Sequence, residues 1–403
     1  MPSGLNHNQQ AVATTLTNFF NSTGGIPLAF GALSPQGLTQ ASGELATGTQ
    51  QATFNAMNLF LGAMTDPFMA RRGGDAASSS ASSFAAADGE TLGYAARSNG
   101  RTASERDAYA AMARKALPMV PSFGQRWSVW AAGYGGSQTT SGNSVVGSNT
   151  TTSSLYGTAV GADYRVSPDT LLGFAMAGGA TGFNVAGGLG SGRSDLFQAG
   201  AFVRHHIGAA YLTGALAYGW QDVSTDRTVT AAGIERLRAN FNANAFSGRL
   251  EGGYRIATPW MGLTPYAAGQ FTTYDLPAYA EQSSAGSLFA LNYAAKNVTA
   301  SRSELGLRTD KVFALNDAIL TLRGRAAWAY NLDTDRSIAA TFQSLPGASF
   351  VVNGAAQARE AALVTGSAEM KWANGFALAA TFEGEFSDTS SSYAGKGVVR
   401  YAW

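Results

Sequence analysis

The last nine residues of the chain, 395–403, read differently at odd and even positions. Gly397, Val399, Tyr401 and Trp403 share one face, and Lys396, Val398, Arg400 and Ala402 share the other. A period of two marks a strand. Here one face is apolar and ends on aromatics, while the other carries two cations. Strands of a membrane-spanning barrel have this form, with apolar side chains toward lipid and polar ones toward the interior. Soluble sheets also alternate. A barrel, however, must repeat the pattern around a closed ring, because hydrocarbon tolerates no unpaired backbone edge.

The repetition is present. After Pro121 the sequence holds twelve candidate strands, at about 125–135, 153–166, 171–185, 193–208, 209–224, 237–256, 262–276, 297–313, 318–333, 357–372, 376–387 and 395–403. In the eleventh, Phe376, Leu378, Ala380, Phe382 and Phe386 oppose Thr381, Glu383 and Glu385. In the ninth, Leu320, Leu322, Ala326, Trp328 and Tyr330 oppose Thr321, Arg323, Arg325 and Asn331. Arg302, Glu304 and Arg308 share a face in the eighth, Glu369 and Lys371 in the tenth, and Arg249 and Glu251 in the sixth. The seventh is ambiguous, with aromatics on both faces. Connections alternate short (167–170, 206–209, 257–261, 314–318, 373–375) and long (136–152, 186–192, 225–236, 277–296, 334–356, 388–394). Short periplasmic turns and longer outer loops produce that rhythm when both barrel ends lie on the periplasmic side. The expected fold is an all-β transmembrane barrel of about twelve antiparallel strands, with an N-terminal helical region.

Composition fits this expectation. Charged residues are 13%, aromatics 11%, and there are 49 glycines. Ordinary soluble chains carry about twice that share of charge. No stretch reaches the roughly 20 apolar residues of a spanning helix. Net charge is +1, which gives no electrostatic case for nucleic acid. Cysteine is absent, which removes disulfides and thiolate metal sites. The first residues show no basic region followed by an apolar core and a cleavage site. An outer-membrane protein needs such a leader, so the chain is expected to be the C-terminal piece of a longer precursor, with Met1 an artefact of the fragment.

Before the strands, residues 1–70 read as a helical segment, with apolar positions at helical spacing over 8–20 and again from about 38 to 64. Residues 71–122 combine an Ala/Ser/Gly-rich linker with a short helix at 104–117. There Ser104 is the N-cap, Asp107 follows three residues on, and Arg114 and Lys115 complement the dipole. The barrel takes residues 123–403.

Particular motifs carry a family resemblance. They are Trp127-Ser-Val-Trp-Ala-Ala-Gly-Tyr-Gly-Gly136, Gly157-Thr-Ala-Val-Gly-Ala-Asp-Tyr164, Gly248-Arg-Leu-Glu-Gly-Gly-Tyr254, Leu263-Thr-Pro-Tyr266, Arg302-Ser-Glu-Leu-Gly-Leu-Arg308 and Val399-Arg-Tyr-Ala-Trp403. Over about two thirds of its length the chain resembles the C-terminal translocator domain of bacterial autotransporters (type V secretion). That resemblance implies a monomeric twelve-stranded barrel in the bacterial outer membrane. It also implies a helix threading the lumen, a partnership with the barrel-assembly machinery, and export and anchoring of an N-terminal passenger at the cell surface. We map the threading helix onto 104–117. Some members cut themselves at a paired-Asn motif; none occurs here. Alternatives are a porin-like channel or a barrel adhesin that binds through its own loops.

The expected lumen-facing set is Arg249, Glu251, Arg302, Glu304, Arg308, Arg323, Arg325, Glu369, Lys371, Glu383, Glu385 and Arg400. Val399, Tyr401 and Trp403 are the expected assembly signal. Trp127, Trp130, Trp220, Trp260, Trp328 and Trp372 are expected in the interfacial girdles. His205 and His206 are strand neighbours on opposite faces, a poor arrangement for one metal ion. Asp222 and Asp226 lie near the other barrel end, so no acid–histidine site forms with them. Gly190-Ser-Gly192 lacks the strand–turn–helix of a nucleophile elbow. No catalytic residue, cofactor or metal is expected.

Overall fold

The structure is a computed structural model that describes residues 4–66, 126–283 and 286–403. Four helices come first: α1 (His7–Thr23), α2 (Leu28–Gly31), α3 (Pro35–Ala41) and α4 (Leu45–Met64). The strands follow as β1 (Trp127–Thr140), β2 (Thr151–Ser167), β3 (Thr170–Val185), β4 (Gly190–Ile207), β5 (Ala210–Val229), β6 (Glu235–Tyr254), β7 (Ile256–Ala257), β8 (Gly262–Leu276) and β9 (Tyr279–Ala280). Next come β10 (Leu291–Tyr293), β11 (Lys296–Ala314), β12 (Ala318–Asn331), β13 (Ser337–Phe342), β14 (Ser349–Asn353), β15 (Glu360–Trp372), β16 (Phe376–Phe386) and β17 (Ser390–Ala402).

Twelve long strands pair with their sequence neighbours, all antiparallel. β8 pairs with β11 and β12 with β15 across the short loop strands, and β1 with β17 closes the ring. The closing seam runs in register from Ser128↔Ala402 to Thr140↔Ser390. No edge is left open in the ring. Each expected strand corresponds to one of these twelve.

Alternation decides which way each side chain points. In β2, Leu155 and Ala159 are buried inward, while Tyr156 and Val160 are exposed outward. β16 exposes Phe376, Leu378 and Phe382 and buries Ala377, Ala379 and Thr381. A cation turned to lipid at the midplane would cost about 2–4 kcal/mol. Turned inward it meets acids. The ambiguity of β8 resolves by burial, with Phe271 facing out and Tyr266 and Tyr274 facing in. Trp130 departs from the girdle expectation. It differs in parity from Trp127, lies buried inside, and donates its indole N–H to Asp163 at 3.4 Å.

The two barrel ends differ. One carries the short turns and both termini of the ring, where the backbone N–H of Trp403 donates to the carbonyl of Trp127. The other carries the long loops. Two of those, expected as plain connections, contain strands. β9, β10, β13 and β14 form a second sheet of four strands at the long-loop end. α1 and α2 pack with it, and α3 packs against α1 and the end of β5. Asn6 opens α1 with a capping box to Gln9. Asn8 then hooks α1 to the loops, donating to the carbonyls of Gly147 and Asn353. Phe30 is the centre of this cap, 5.0 Å from the rings of both Phe289 and Phe342.

The single helix expected from about 38 to 64 is broken into α3 and α4. Gly43, at φ +71°, makes the break, and a Cβ there would collide with Leu291 and Tyr293. α4 then runs inside the barrel. Sixteen of its twenty residues are buried. A helix of that length spans about 30 Å, close to the hydrocarbon thickness of a bilayer. No helix among the described residues is long and apolar enough to cross a membrane itself.

Candidate functional site: the occupied lumen

α4 is helical for local reasons. It contains no Pro and no charge, and its interior is rich in Ala, Leu, Gln and Met. Its threonines bond back to their own helix: Thr49 Oγ1 donates to Ala46 and Thr53 Oγ1 to Thr49. An uncharged helix apolar on most sides needs a surround, and the barrel provides it. The helix lies toward the β1–β8 half of the ring. Met57 fills the space over Gly219, and Met64 the space over Gly200. Phe183 fills the space over Gly48 of the helix itself.

Polar wall residues hold the helix as well. Asn55 Nδ2 donates to Ser153 Oγ at 2.8 Å, and Gln51 Nε2 to the same oxygen at 3.1 Å. Gln221 donates to Thr53 at 2.9 Å and Gln270 donates to Asn58 at 2.5 Å. Gln198 donates to the sulfur of Met57 at 3.2 Å.

Most of the charges line the wall from β6 round to β17. Arg249 bridges Glu251 at 2.8 Å and Glu304 at 2.7 Å. Arg308 donates to both oxygens of Glu251, at 2.7 and 2.8 Å, and stacks 3.8 Å from the centre of the Tyr266 ring. Arg302 reaches Glu385 at 3.2 Å and Glu304 at 3.5 Å. Arg325 lies 3.5 Å from Glu383, which also pairs with Lys396 at 3.2 Å. A cavity of about 130 Å³ lies between much of this wall and α4, lined by residues of both. Acids and bases alternate across it, so the wall repels neither sign strongly.

The expected lumen residues therefore fall into groups. Arg249, Glu251, Arg302, Glu304, Arg308 and Glu385 form one network, and Arg325 and Glu383 join it through the cavity. Arg323 and Glu369 make a separate pair at 2.5 Å. Arg400 is buried and binds Asp163 at 3.0 Å and Ser128. Lys371 lies exposed near the end of β15. Val399, Tyr401 and Trp403 all point outward, with Tyr401 against Phe376 and Trp403.

The helix expected in the lumen, 104–117, lies outside the described residues. The lumen is filled by α4. Asp163 and Lys396 were also missed as partners, although strand parity would have found both. Arg204 has the inward parity of Phe202 and was legible in the same way. The buried pair of Arg227 and Glu281, 2.5 Å apart, joins β5 to a loop and had no sequence signal.

His205 and His206 sit beside the turn after β4. His205 is exposed and bonds Thr170, while His206 lies against Tyr211 on the other face. Asp226 pairs with Arg238 at the opposite end of the strands. Among the described residues no three His, Cys, Asp or Glu side chains group to hold a metal.

Comparison with known proteins agrees with this geometry. The profile of the autotransporter beta-domain family matches residues 129–383. The fold is similar to the translocator domain of autotransporter NalP from Neisseria meningitidis, with a TM-score of 0.56 at 18% identity over 74% of this chain and 97% of that one. It is also similar to the beta domain of the Bordetella autotransporter Brka, with a TM-score of 0.53 at 18% identity over 69% of this chain and 100% of that one. An extracellular serine protease of Serratia marcescens is 27% identical over 237 residues, which are 58% of this chain and 22% of that protein. The chain thus matches less than a quarter of that relative. A closed ring, outward apolar faces, an occupied lumen and the family match agree: the chain belongs to the autotransporter beta-domain family, a translocator of the bacterial outer membrane that exports a passenger.

Proposed function

We propose that this chain is the export and anchoring unit of a longer precursor, with α4 as the segment that stays in the pore once export is complete. The supporting observation is that α4 sits in the lumen with its first residues at the long-loop end. There Glu44, just before the helix, accepts from the backbone and side chain of Asn149. Long loops face outward in barrels of this class, so chain preceding α4 lies outside the cell. A passenger N-terminal to Gly4 would be tethered at the surface. The charged wall lines the remaining path, and no bond chemistry is assigned to it.

One partner and one oligomeric state follow from this reading. The outward aromatics Tyr401 and Trp403, on the strand that closes the ring, are what the barrel-assembly machinery would engage. A ring complete within one chain supports a unit that works as a monomer. An open diffusion channel is disfavoured because α4 fills the pore. An adhesin acting through loops 277–296 and 334–356 is disfavoured because both loops are folded into the cap.

The test is single-channel conductance in planar bilayers. The full chain is expected to conduct poorly, and deletion of residues 4–66 to open a large, steady pore. Equal conductance of the two proteins would refute the plug.

A further inference from the structure

The barrel wall caps the C-terminal end of α4. The last four carbonyls of any helix lack partners within it, and that end carries partial negative charge. α4 offers no basic residue in its last turn. Two cations from the wall take that role. Arg204 of β4, 2% exposed, donates Nη2 to the carbonyl of Thr65 at 3.1 Å and is itself fixed by Nε to Thr213 at 2.8 Å. Lys396 of β17 donates Nζ to the carbonyl of Gly62 at 3.4 Å and pairs with Asp66 at 2.7 Å. β4 and β17 lie four strands apart around the ring, so the helix end is gripped from two sides.

Residues 67–125 join Asp66 to the barrel, and the length of that connection, roughly 200 Å when fully extended, does not by itself specify a register for the helix. Met57 over Gly219 and Met64 over Gly200 fit at one register only, since a shift of one turn moves each thioether off its glycine.

We infer that Arg204 and Lys396 form a clamp that halts outward movement of the chain at Asp66, and so fixes which residue occupies the pore when export ends. The inference rests on the plug reading above. Here the two cations are positioning residues.

The test uses the full chain, which has no native cysteine, refolded in lipid vesicles. Asn55→Cys with Ser153→Cys places a reporter pair where the native side chains meet at 2.8 Å. Oxidation should crosslink this pair in the otherwise unaltered chain. Failure there would overturn the plug reading and the clamp together. Given the crosslink, Asp66→Lys and Lys396→Glu should each lower its yield severalfold. The two combined should restore it, because the pair is re-formed with its charges exchanged. Asp66→Asn, outside every membrane strand, should lower the yield less and leave the heat-modifiable gel mobility of the folded barrel unchanged. Undiminished crosslinking in Asp66→Lys, or loss in both single variants without recovery in the exchange, would overturn the clamp and leave the plug standing.

Discussion

Glu44 sits where the outer mouth meets the top of α4. Its carboxyl accepts two hydrogen bonds from Asn149, both 2.6 Å. Burial nevertheless pushes its pKa up to about 7, and those hydrogen bonds offset the effect only in part. A raised folded-state pKa means the folded mouth holds the proton more tightly than the unfolded chain. The stabilisation is complete below about 4.5, fades as pH rises toward about 7, and is gone above that. It amounts to about 3 kcal/mol at most. Limited proteolysis of residues 4–44 should therefore be slower near about pH 5 than near about pH 8, and Glu44→Gln should erase the difference. A mouth that loosens on acidification would contradict this account. The lumen network makes a second prediction by magnitude. Glu251 is bound by two arginines in a largely enclosed wall. Glu251→Gln should cost about 3 kcal/mol, because it leaves buried guanidinium charge uncompensated. Arg238→Ala breaks a pair that is 68% and 43% exposed and should cost under about 1 kcal/mol. Urea unfolding in lipid would separate the two. Most lumen residues were legible as single residues because strand parity alone assigns them to a face. Their pairings were not, since Arg302 and Glu385 are far apart in sequence and meet only across the closed ring.

At the scale of elements, the strands are the most legible part. Each barrel strand alternates strongly because its two sides meet different solvents, lipid and a polar lumen. Val160→Arg on β2, an outward position 57% exposed, should destabilise the barrel by about 2–4 kcal/mol. Loss of resistance to detergent unfolding would register it, and an unchanged barrel would mean that this face does not meet hydrocarbon. The helices were less legible. Periodicity marked a helical stretch ending near Met64, but not the interruption at Gly43, which depends on the Leu291 and Tyr293 side chains brought against it. Residues 104–117 have better intrinsic helix signals than α4, with a cap, alanines and basic residues at the C-terminal end. Propensity is a statement about isolated helices. α4 has neither acidic residues in its first turn nor basic residues in its last. Its partners at the C-terminal end belong to the wall.

At the scale of the whole molecule, the ring, the lumen helix and the cap are three solutions to one problem, closure of a pore. The ring removes the sheet edge, α4 fills the bore, and α1–α3 with the loop sheet cover the outer mouth around Phe30. Phe30→Asp should loosen that cover by burying an unpaired carboxylate among rings. Faster hydrogen exchange in β10 and β13, with no change in β2 or β16, is the expected signature, and exchange that rises evenly through the barrel would count against a separable cap. Fold class, strand number, facing of side chains and the membrane as solvent were all determined by the sequence itself. They rest on local alternation and on the lengths of connections, which hold before any long-range contact forms. Only the tertiary structure decided that α4 lies in the pore, which charges pair across it and what seals its mouth. Those outcomes depend on Gly200, Gly219, Arg204 and Lys396 being brought from separate strands to one helix, and no short-range pattern encodes a fit between surfaces that exist only once the ring has closed.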